Sequence, residues 1–184
     1  MRPTGIVRRI DELGRIVVPK ELRRSLRIRE GDSVEIFIDQ DGSIVLKKYS
    51  AVAQMANVAG DMAESLAQSS GEVALICDRD VVVASAGAGE HNLIGRAIGR
   101  AVEKSMFERQ VLRVHFSGGS ESSSILIDDG SEFALISAAI APIVADGDPV
   151  GAVVIGSPSH DRTIGDLEES LVVAAAGYIG RHAQ

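Results

Sequence analysis

Cysteine and aromatic residues are scarce in this sequence. Its 184 residues include one cysteine, Cys77, no tryptophan, and only 3% aromatic residues. A single cysteine excludes a framework of disulfides within the chain and is typical of a reducing compartment. Its apolar surroundings, residues 73–77, indicate a small buried hydrophobe and not a reactive thiol. The scarcity of rings argues against a stacking platform for single-stranded nucleic acid, which needs several exposed aromatic side chains.

Long apolar runs are also missing. Nowhere do about 18 consecutive apolar residues occur, and no charged segment followed by an apolar stretch opens the chain. We therefore expect no membrane association and a cytoplasmic location.

Sequence signatures of catalysis are missing as well. The four histidines, His91, His115, His160 and His182, lie more than twenty residues apart and lack close cysteine or histidine partners, which does not favour a metal site. Residues 87–92 lack the third glycine of a dinucleotide-binding loop, and neither a phosphate-binding loop nor a nucleophile elbow occurs. The sequence predicts a protein that is not an enzyme and that needs no metal or cofactor.

Charge, by contrast, is distributed in an informative way. Residues 1–48 hold 11 lysines and arginines against 8 acidic residues, whereas residues 49–184 hold 8 against 18, within an overall net charge of -7. Residues 1–29 alone hold nine basic and three acidic residues. This asymmetry indicates two domains and an anionic partner for the smaller one. Duplex DNA, which is gripped through phosphates and groove edges, is the partner we expect.

The first 48 residues predict four short strands and one short helix. Alternating apolar residues favour strands at 5–10, 15–18, 34–39 and 44–47, with Gly14 in the first turn and Asp41-Gly42 in the second. Pro19 keeps the residue before it extended and suits a helix start, so we expect a helix from 19 to about 26. So small a module lacks an adequate core of its own. We expect dimerisation to complete it.

The segment 4–26 reads TGIVRRIDELGRIVVPKELRRSL, and residues 3–49 resemble the AbrB-type swapped-hairpin DNA-binding domain. The resemblance implies two chains that exchange hairpins into one interlocked barrel. The positions that match the family's DNA-contacting arginines are Arg8, Arg15, Arg23 and Arg24, and the secondary candidates are Arg9, Lys20 and Arg27.

Arginine suits this role because its rigid fork of donors binds a phosphate or a guanine edge through two hydrogen bonds. The alternative interpretation is a solvated charged face, in which these side chains pair locally with Asp11, Glu12 and Glu21.

Residues 50–68 predict a helix with an apolar stripe of Val52, Met55, Ala59, Met62 and Leu66. Two interpretations are open: a helix packed on the second domain, which we favour, or a partner-facing helix that transmits a change to the DNA module.

From residue 71 the pattern predicts an α+β domain built on an antiparallel sheet. We expect strands at 72–77, 81–85, 111–116, 125–128, 133–144 and 150–156, and a helix at 92–107. A last helix begins with a capping box of Thr163 and Asp166. Its predicted apolar stripe consists of Ile164, Leu167, Leu171, Ala174 and Tyr178.

This order, with the hairpin at 141–154, resembles a GAF domain, a fold that often senses small molecules. An AbrB-type module followed by a GAF-like domain is similar to the stage V sporulation protein T family. That resemblance implies a transcription regulator, activating or repressing, of late sporulation genes in the forespore, and dimers joined into tetramers through the C-terminal domains.

Loops 85–92 and 117–124 are candidate rims of a ligand cavity, but their glycine and serine content is equally explained by turns. The sequence leaves open whether this domain binds a small molecule, and it identifies no ligand. The string typical of cyclic-nucleotide-binding GAF domains is missing.

We therefore predict an N-terminal swapped-hairpin β-barrel at 1–49, a linking helix at 50–70, and a GAF-like antiparallel sheet with flanking helices at 71–184. The rival hypothesis is a small-molecule sensor or protein-interaction module whose first domain acts like an antitoxin.

Overall fold

The computed structural model describes residues 4–87, 89, 91–116, 125–126 and 133–183. It divides into two compact units, Met1–Tyr49 and Ser50–Gln184. The predicted loop at 117–124 and the second half of the strand predicted at 125–128 lie outside the described residues.

The first unit contains one helix and one hairpin: α1 (Lys20–Ser25), β1 (Val34–Ile38) and β2 (Ile44–Lys48). The strands pair antiparallel, with Ile36 opposite Leu46 and Ile38 opposite Ile44. Gly42, at a φ of 81°, closes the turn by donating its N–H to the Asp39 carbonyl at 2.9 Å. The predicted hairpin and helix are confirmed, the helix starting one residue after Pro19.

The strands predicted at 5–10 and 15–18 are wrong for the single chain, because both segments lack strand structure. Among the described residues, the hydrogen bond from Asp11 N–H to the Arg15 carbonyl (3.1 Å) and the one that closes the turn join them, and no ladder extends beyond these two bonds. A strand exists only when its backbone groups pair with a neighbouring strand. These segments have suitable side chains but no such neighbour within the described part of the first unit.

The second unit is built on a five-stranded antiparallel sheet. Its elements in chain order are α2 (Ala51–Gln54), α3 (Ala56–Ser70), β3 (Val73–Cys77), β4 (Val82–Ala86), α4 (Arg100–Glu108), β5 (Leu112–His115), β6 (Ser137–Ala145), β7 (Asp148–Ser157) and α5 (Asp166–His182). The strands are arranged β4-β3-β7-β6-β5. The predicted α+β order is confirmed.

The sheet has an apolar core on each face. Helices α2, α3 and α5 pack on one face, around Ile76, Ile143 and Ile155. Helix α4 packs on the other face, around Leu75 and Ile140. This layering explains the near-continuous apolar runs of β3, β6 and β7, which are buried on both sides.

Three predictions about helices need correction. The helix expected at 50–68 is divided at Met55, whose φ of -100° and ψ of 28° end α2. Its stripe does lie against the sheet, with Val52, Ala59 and Leu66 buried, as expected of a helix packed on the second domain. The helix predicted at 92–107 begins only at Arg100, because Gly95 adopts a φ of 84° and residues 97 and 98 form bridges to Val81 and Leu126.

Helix α5 differs from its prediction in its start and in its buried face. Its N-cap is Gly165, whose N–H donates to Glu168 Oε2 at 2.8 Å, so Thr163 does not cap it. The buried face consists of Glu168, Val172, Ala175, Ala176, Ile179 and Gly180. The predicted stripe is displaced by one residue over most of its length. Leu167 and Tyr178, which belong to that stripe, are 58% and 41% exposed.

No helix in the described ranges is both long and apolar enough to span a bilayer.

Candidate nucleic-acid interface

The seven basic side chains selected from the sequence are all exposed. Arg8 and Arg9 lie in the extended segment before the first turn, and Arg15 follows that turn. Lys20, Arg23 and Arg24 lie on α1, and Arg27 follows it. Eight consecutive residues, 20–27, thus carry four of the seven.

Asp11 organises the turn that separates Arg9 from Arg15. Its Oδ1 accepts the N–H groups of Leu13 at 3.0 Å and Arg15 at 2.8 Å, and its Oδ2 accepts Arg15 Nε at 2.8 Å. Hydrogen bonds from the backbone and then the side chain of Arg15 lower the pKa of the Asp11 carboxyl. Arg15 therefore makes one of the local ion pairs that the alternative interpretation required.

Five of the other candidate cations differ from Arg15 in their pairing. The described residues provide no ion-pair or hydrogen-bond partner for the side chains of Arg8, Arg9, Lys20, Arg23 or Arg24. Glu12 and Glu21, two of the three expected acidic partners, make no ion pair with them within those ranges. Their cationic groups are therefore available to an external anion.

Helix α1 positions three of these five cations. Pro19 has a φ of -59° and a ψ of 149°, which fixes the extended approach to the helix. Arg23 and Arg24 lie in the last turn, where the negative end of the helix dipole favours positive charge. The helix buries no residue within its unit, so packing in the single chain does not hold it.

A half-buried ion pair fixes the C-terminal end of this basic segment. Arg27 adopts a left-handed φ of 53°, and its carbonyl accepts Lys48 Nζ at 3.0 Å. Lys48 Nζ also lies 2.8 Å from Asp32 Oδ2, with side chains 18% and 2% exposed. Sequence reasoning missed Asp32 and Lys48 as positioning residues, because their pairing spans sixteen residues and leaves no local signal.

The first unit exposes far more apolar surface than a stable domain does. Among residues 4–49, Pro19 alone is buried. The exposed large apolar residues are Ile6, Val7, Ile10, Leu13, Ile16, Val17, Leu26, Val34, Ile36, Phe37, Ile38, Ile44, Leu46 and Tyr49. Contiguous apolar exposure of this kind marks an interaction surface.

The β1–β2 hairpin has apolar residues on both faces. Ile36, Ile38, Ile44 and Leu46 form one face and are 67%, 81%, 63% and 40% exposed. Phe37 lies on the other face, with Lys47 Nζ 4.9 Å from its ring centroid. A two-stranded hairpin of this composition needs cover on both faces to be stable.

Across the described ranges, no group of three or more histidine, cysteine, aspartate or glutamate side chains is arranged to hold a metal ion. The Cys77 thiol is buried, and desolvation raises its pKa well above the usual range, as expected of a core residue.

Comparisons with known proteins cover both units. The family model described as "Stage V sporulation protein T C-terminal, transcription factor" matches residues 54–184. A second family model, "Antidote-toxin recognition MazE, bacterial antitoxin", matches residues 7–54.

Two relatives come from Bacillus subtilis (strain 168). "Stage V sporulation protein T" is 44% identical over 184 residues, which is 100% of this chain and 99% of the relative. "Transition state regulatory protein AbrB" is 61% identical over 49 residues, which is 27% of this chain and 50% of the relative.

Among solved structures, the GAF domain of an Acinetobacter phosphoenolpyruvate-protein phosphotransferase is similar with a TM-score of 0.58 at 14% identity. The match covers 73% of this chain and 82% of that one. At this identity the likeness concerns the fold alone, and it confirms the predicted GAF-like architecture.

Proposed function

Since the chain belongs to the stage V sporulation protein T family of transcription factors, we propose that it regulates late sporulation genes of the forespore by binding duplex DNA as a homo-oligomer. Its N-terminal region is AbrB-like and its C-terminal unit has a GAF fold. The observation that carries the proposal is a set of exposed cations that have no partner within the described residues: Arg8, Arg9, Lys20, Arg23 and Arg24. A regulator of this kind acts on the chromosome, so we place it in the cytoplasm with the nucleoid.

The exposed apolar surface of the first unit supports its dimerisation. The two-sided hairpin and the unpaired segments 4–10 and 15–18 need both apolar cover and backbone partners. A second copy supplies both, because exchanged segments give each chain the strands that it lacks alone. The swapped-hairpin barrel is therefore the arrangement that we propose for residues 1–49.

The dimer doubles the cationic surface. Arg8, Arg15, Arg23 and Arg24 from two chains bring eight guanidinium groups to one duplex. Arg15 joins this surface by exchanging its exposed ion pair with Asp11 for a phosphate, a modest cost because such pairs contribute only about 0–1 kcal/mol. Arg9, Lys20 and Arg27 extend the surface at its edges.

The experiment that tests the function is a titration of the full chain with duplex DNA over a range of salt concentrations. Neutralising about five to eight phosphates releases their counterions, so the slope of log K against log salt is expected to be about -4 to -7. The measurement is fluorescence anisotropy with a labelled random duplex. Affinity that does not change with salt would contradict the assignment of the DNA surface.

The second candidate is an antitoxin-like module that pairs with a protein, favoured by the match of residues 7–54 to the MazE model. The same titration separates the two candidates, since a protein-binding surface of this kind has no reason to retain random duplex DNA. In that case the exposed apolar residues, and not the arginines, would determine partner binding.

The C-terminal unit offers a surface for joining dimers into tetramers. Leu167 and Tyr178 lie on the solvent side of α5, 58% and 41% exposed, with Ala174 exposed between them. Their spacing of seven and four residues places them on one helix face, as in helix pairing. We propose that this stripe meets the same stripe of another chain, and that a small ligand of the GAF-like unit adjusts the assembly.

Tyr178→Glu is expected to convert tetramers into dimers, because the interface would bury an unpaired carboxylate. Affinity for a single DNA site, which one dimer fills, should be unchanged. A tetramer binds two such sites on one duplex about 100-fold or more tightly through avidity, and this gain in affinity should be lost. Sedimentation and DNA titration measure the two effects. The matched control is Phe107→Glu on α4, where the side chain is 89% exposed; a tetramer that survives Tyr178→Glu refutes this interface.

A further inference from the structure

The second unit contains a cavity of about 520 Å³ where β3 begins and β7 ends. Its lining includes Glu72, Val73, Phe133, Ser159 and Arg162. The volume lies within the range of about 300–1,000 Å³ that small-molecule sites occupy. The lining combines charged and hydroxyl side chains with the apolar side chains of Val73 and Phe133.

Two carboxylates hold the guanidinium at this cavity in place. Arg162 Nε donates to Glu72 Oε1 at 2.8 Å, and Arg162 Nη2 donates to Glu168 Oε1 at 3.0 Å. Glu168 is 3% exposed, and its other oxygen accepts the N–H of Gly165 at 2.8 Å. Because Nε and Nη2 are occupied, the orientation of the whole planar group is fixed.

One donor and one acceptor of this cluster keep spare capacity. Within the described residues, Arg162 Nη1 and Glu72 Oε2 have no hydrogen-bond partner. The Arg162 side chain is 49% exposed, whereas that of Glu72 is 12% exposed. A fixed guanidinium and a largely buried glutamate side chain therefore line the same cavity.

The charges of this cluster discriminate between classes of ligand. Two carboxylates against one guanidinium leave one surplus negative charge, so a phosphate or a simple carboxylate would be repelled. The surplus negative charge would attract a ligand with an ammonium group, which would pair with the Glu72 carboxylate. If it also carries a carboxylate, that group can accept from Arg162 Nη1 without adding net charge to the site.

The remaining walls suit an apolar side chain. Val73 and Phe133 contribute apolar surface, and the Phe133 ring packs against His91 with centroids 4.7 Å apart. Gly87 also lines the cavity, and a Cβ there would lie 2.5 Å from the Glu72 carbonyl oxygen. Its φ of 80° also disfavours any other residue, so the chain approaches Glu72 closely here without filling the space.

We propose that this cavity binds a small zwitterion of the α-amino-acid class, with the ammonium on Glu72, the carboxylate on Arg162 and the side chain against Val73 and Phe133. The inference deepens the ligand response named under the proposed function and rests on it for its regulatory meaning. Glu72 follows Gly71, the residue that ends α3, so the ligand would contact the helix that leads back to the first unit.

The test uses the full chain and each of the proteinogenic L-amino acids in turn, measured by thermal shift and then by calorimetry. At least one is expected to bind, and two analogues of it should not: the amine that lacks the carboxylate and the 2-oxo acid that lacks the ammonium. Glu72→Gln and Arg162→Lys should each weaken binding about 10- to 100-fold, the effect of one charge-assisted hydrogen bond.

Two further variants keep the test decisive. Ser159→Phe places a ring from an exposed position into the cavity and should abolish binding even if Arg162→Lys fails to fold. Arg100→Lys, an exposed arginine at the start of α4, should bind as the unaltered chain does. Binding of no amino acid, equal binding of the amine, or unaltered binding by both Glu72→Gln and Ser159→Phe would overturn the proposal. The DNA affinity of the full chain is measured in parallel without amino acid. Absence of DNA binding in that measurement would contradict the proposed function and not this site.

Discussion

Replacing Arg23 and Arg24 together by alanine is expected to weaken duplex binding by about a thousand-fold. Each guanidinium that contacts a phosphate or a base edge contributes about 1–3 kcal/mol, and the dimer loses four of them. Even at the lower limit this amounts to about 4 kcal/mol, and every 1.4 kcal/mol is about tenfold. Anisotropy titrations at several salt concentrations measure the change, and the salt slope should fall by about 0.9 for each lost phosphate contact.

The fold of this variant should be intact. Both side chains are exposed on α1 and have no partner in the described part of the chain, and alanine is the best helix former. Arg100→Ala with Arg181→Ala is the matched control, because it removes the same charge from exposed positions in the second unit. If that pair weakened binding as much, the effect would reflect net charge and not a surface on α1.

Local chemistry was sufficient to predict several elements of the fold. Pro19 determined where α1 starts, and Asp41-Gly42 determined the hairpin turn. Five of the six strands predicted in the second domain match the central sheet to within a few residues, since buried β-branched runs bounded by turns leave a strong pattern. The exception is the strand predicted at 125–128, where Leu126 forms an isolated bridge to Ile98. The family resemblance supplied the basic residues of the candidate interface, and five of those seven side chains have no partner among the residues that the structure describes.

Other features could not be predicted because they depend on contacts distant in sequence. Asp32 pairs with Lys48 across the hairpin, and nothing near either residue signals this. Residues 97 and 98 form bridges to Val81 and Leu126, which displaces the helix that periodicity favours there. In α5 both faces carry apolar residues, so the pattern alone could not decide which face the sheet covers.

The unpaired segments of the first unit illustrate a different limit. Residues 5–10 and 15–18 have strand-forming side chains, yet they form no ladder within the described part of the single chain. A sequence pattern indicates a preference for extended backbone. The neighbouring strand that would pair with it comes from the second chain of the proposed dimer. The difference between the predicted strands and the single chain therefore supports the proposed exchange of segments, which Ile36→Asp tests.

Ile36→Asp is expected to abolish DNA binding and dimerisation through the first unit. In the single chain Ile36 is 67% exposed, so a monomeric module should tolerate aspartate with a change of about 0.5 kcal/mol or less. In the proposed barrel the same side chain lies in the shared core, where losing a buried isoleucine costs about 2–5 kcal/mol. Burial of an unpaired carboxylate adds several kcal/mol per chain, and two chains contribute.

Tolerance of aspartate by a monomeric module and disruption of a dimeric barrel differ enough for one set of measurements to decide between them. Sedimentation reports the assembly, circular dichroism reports unfolding of the first unit, and anisotropy reports DNA affinity. Ile94→Asp is the matched control, since Ile94 is 56% exposed in the second unit, where no exchange is proposed. Equal behaviour of the two variants would mean that the apolar face of the hairpin is solvent-exposed in the working protein. The cations of α1 would then have to hold DNA from an isolated module that, among residues 4–49, buries only Pro19. Such a core is too small to position them.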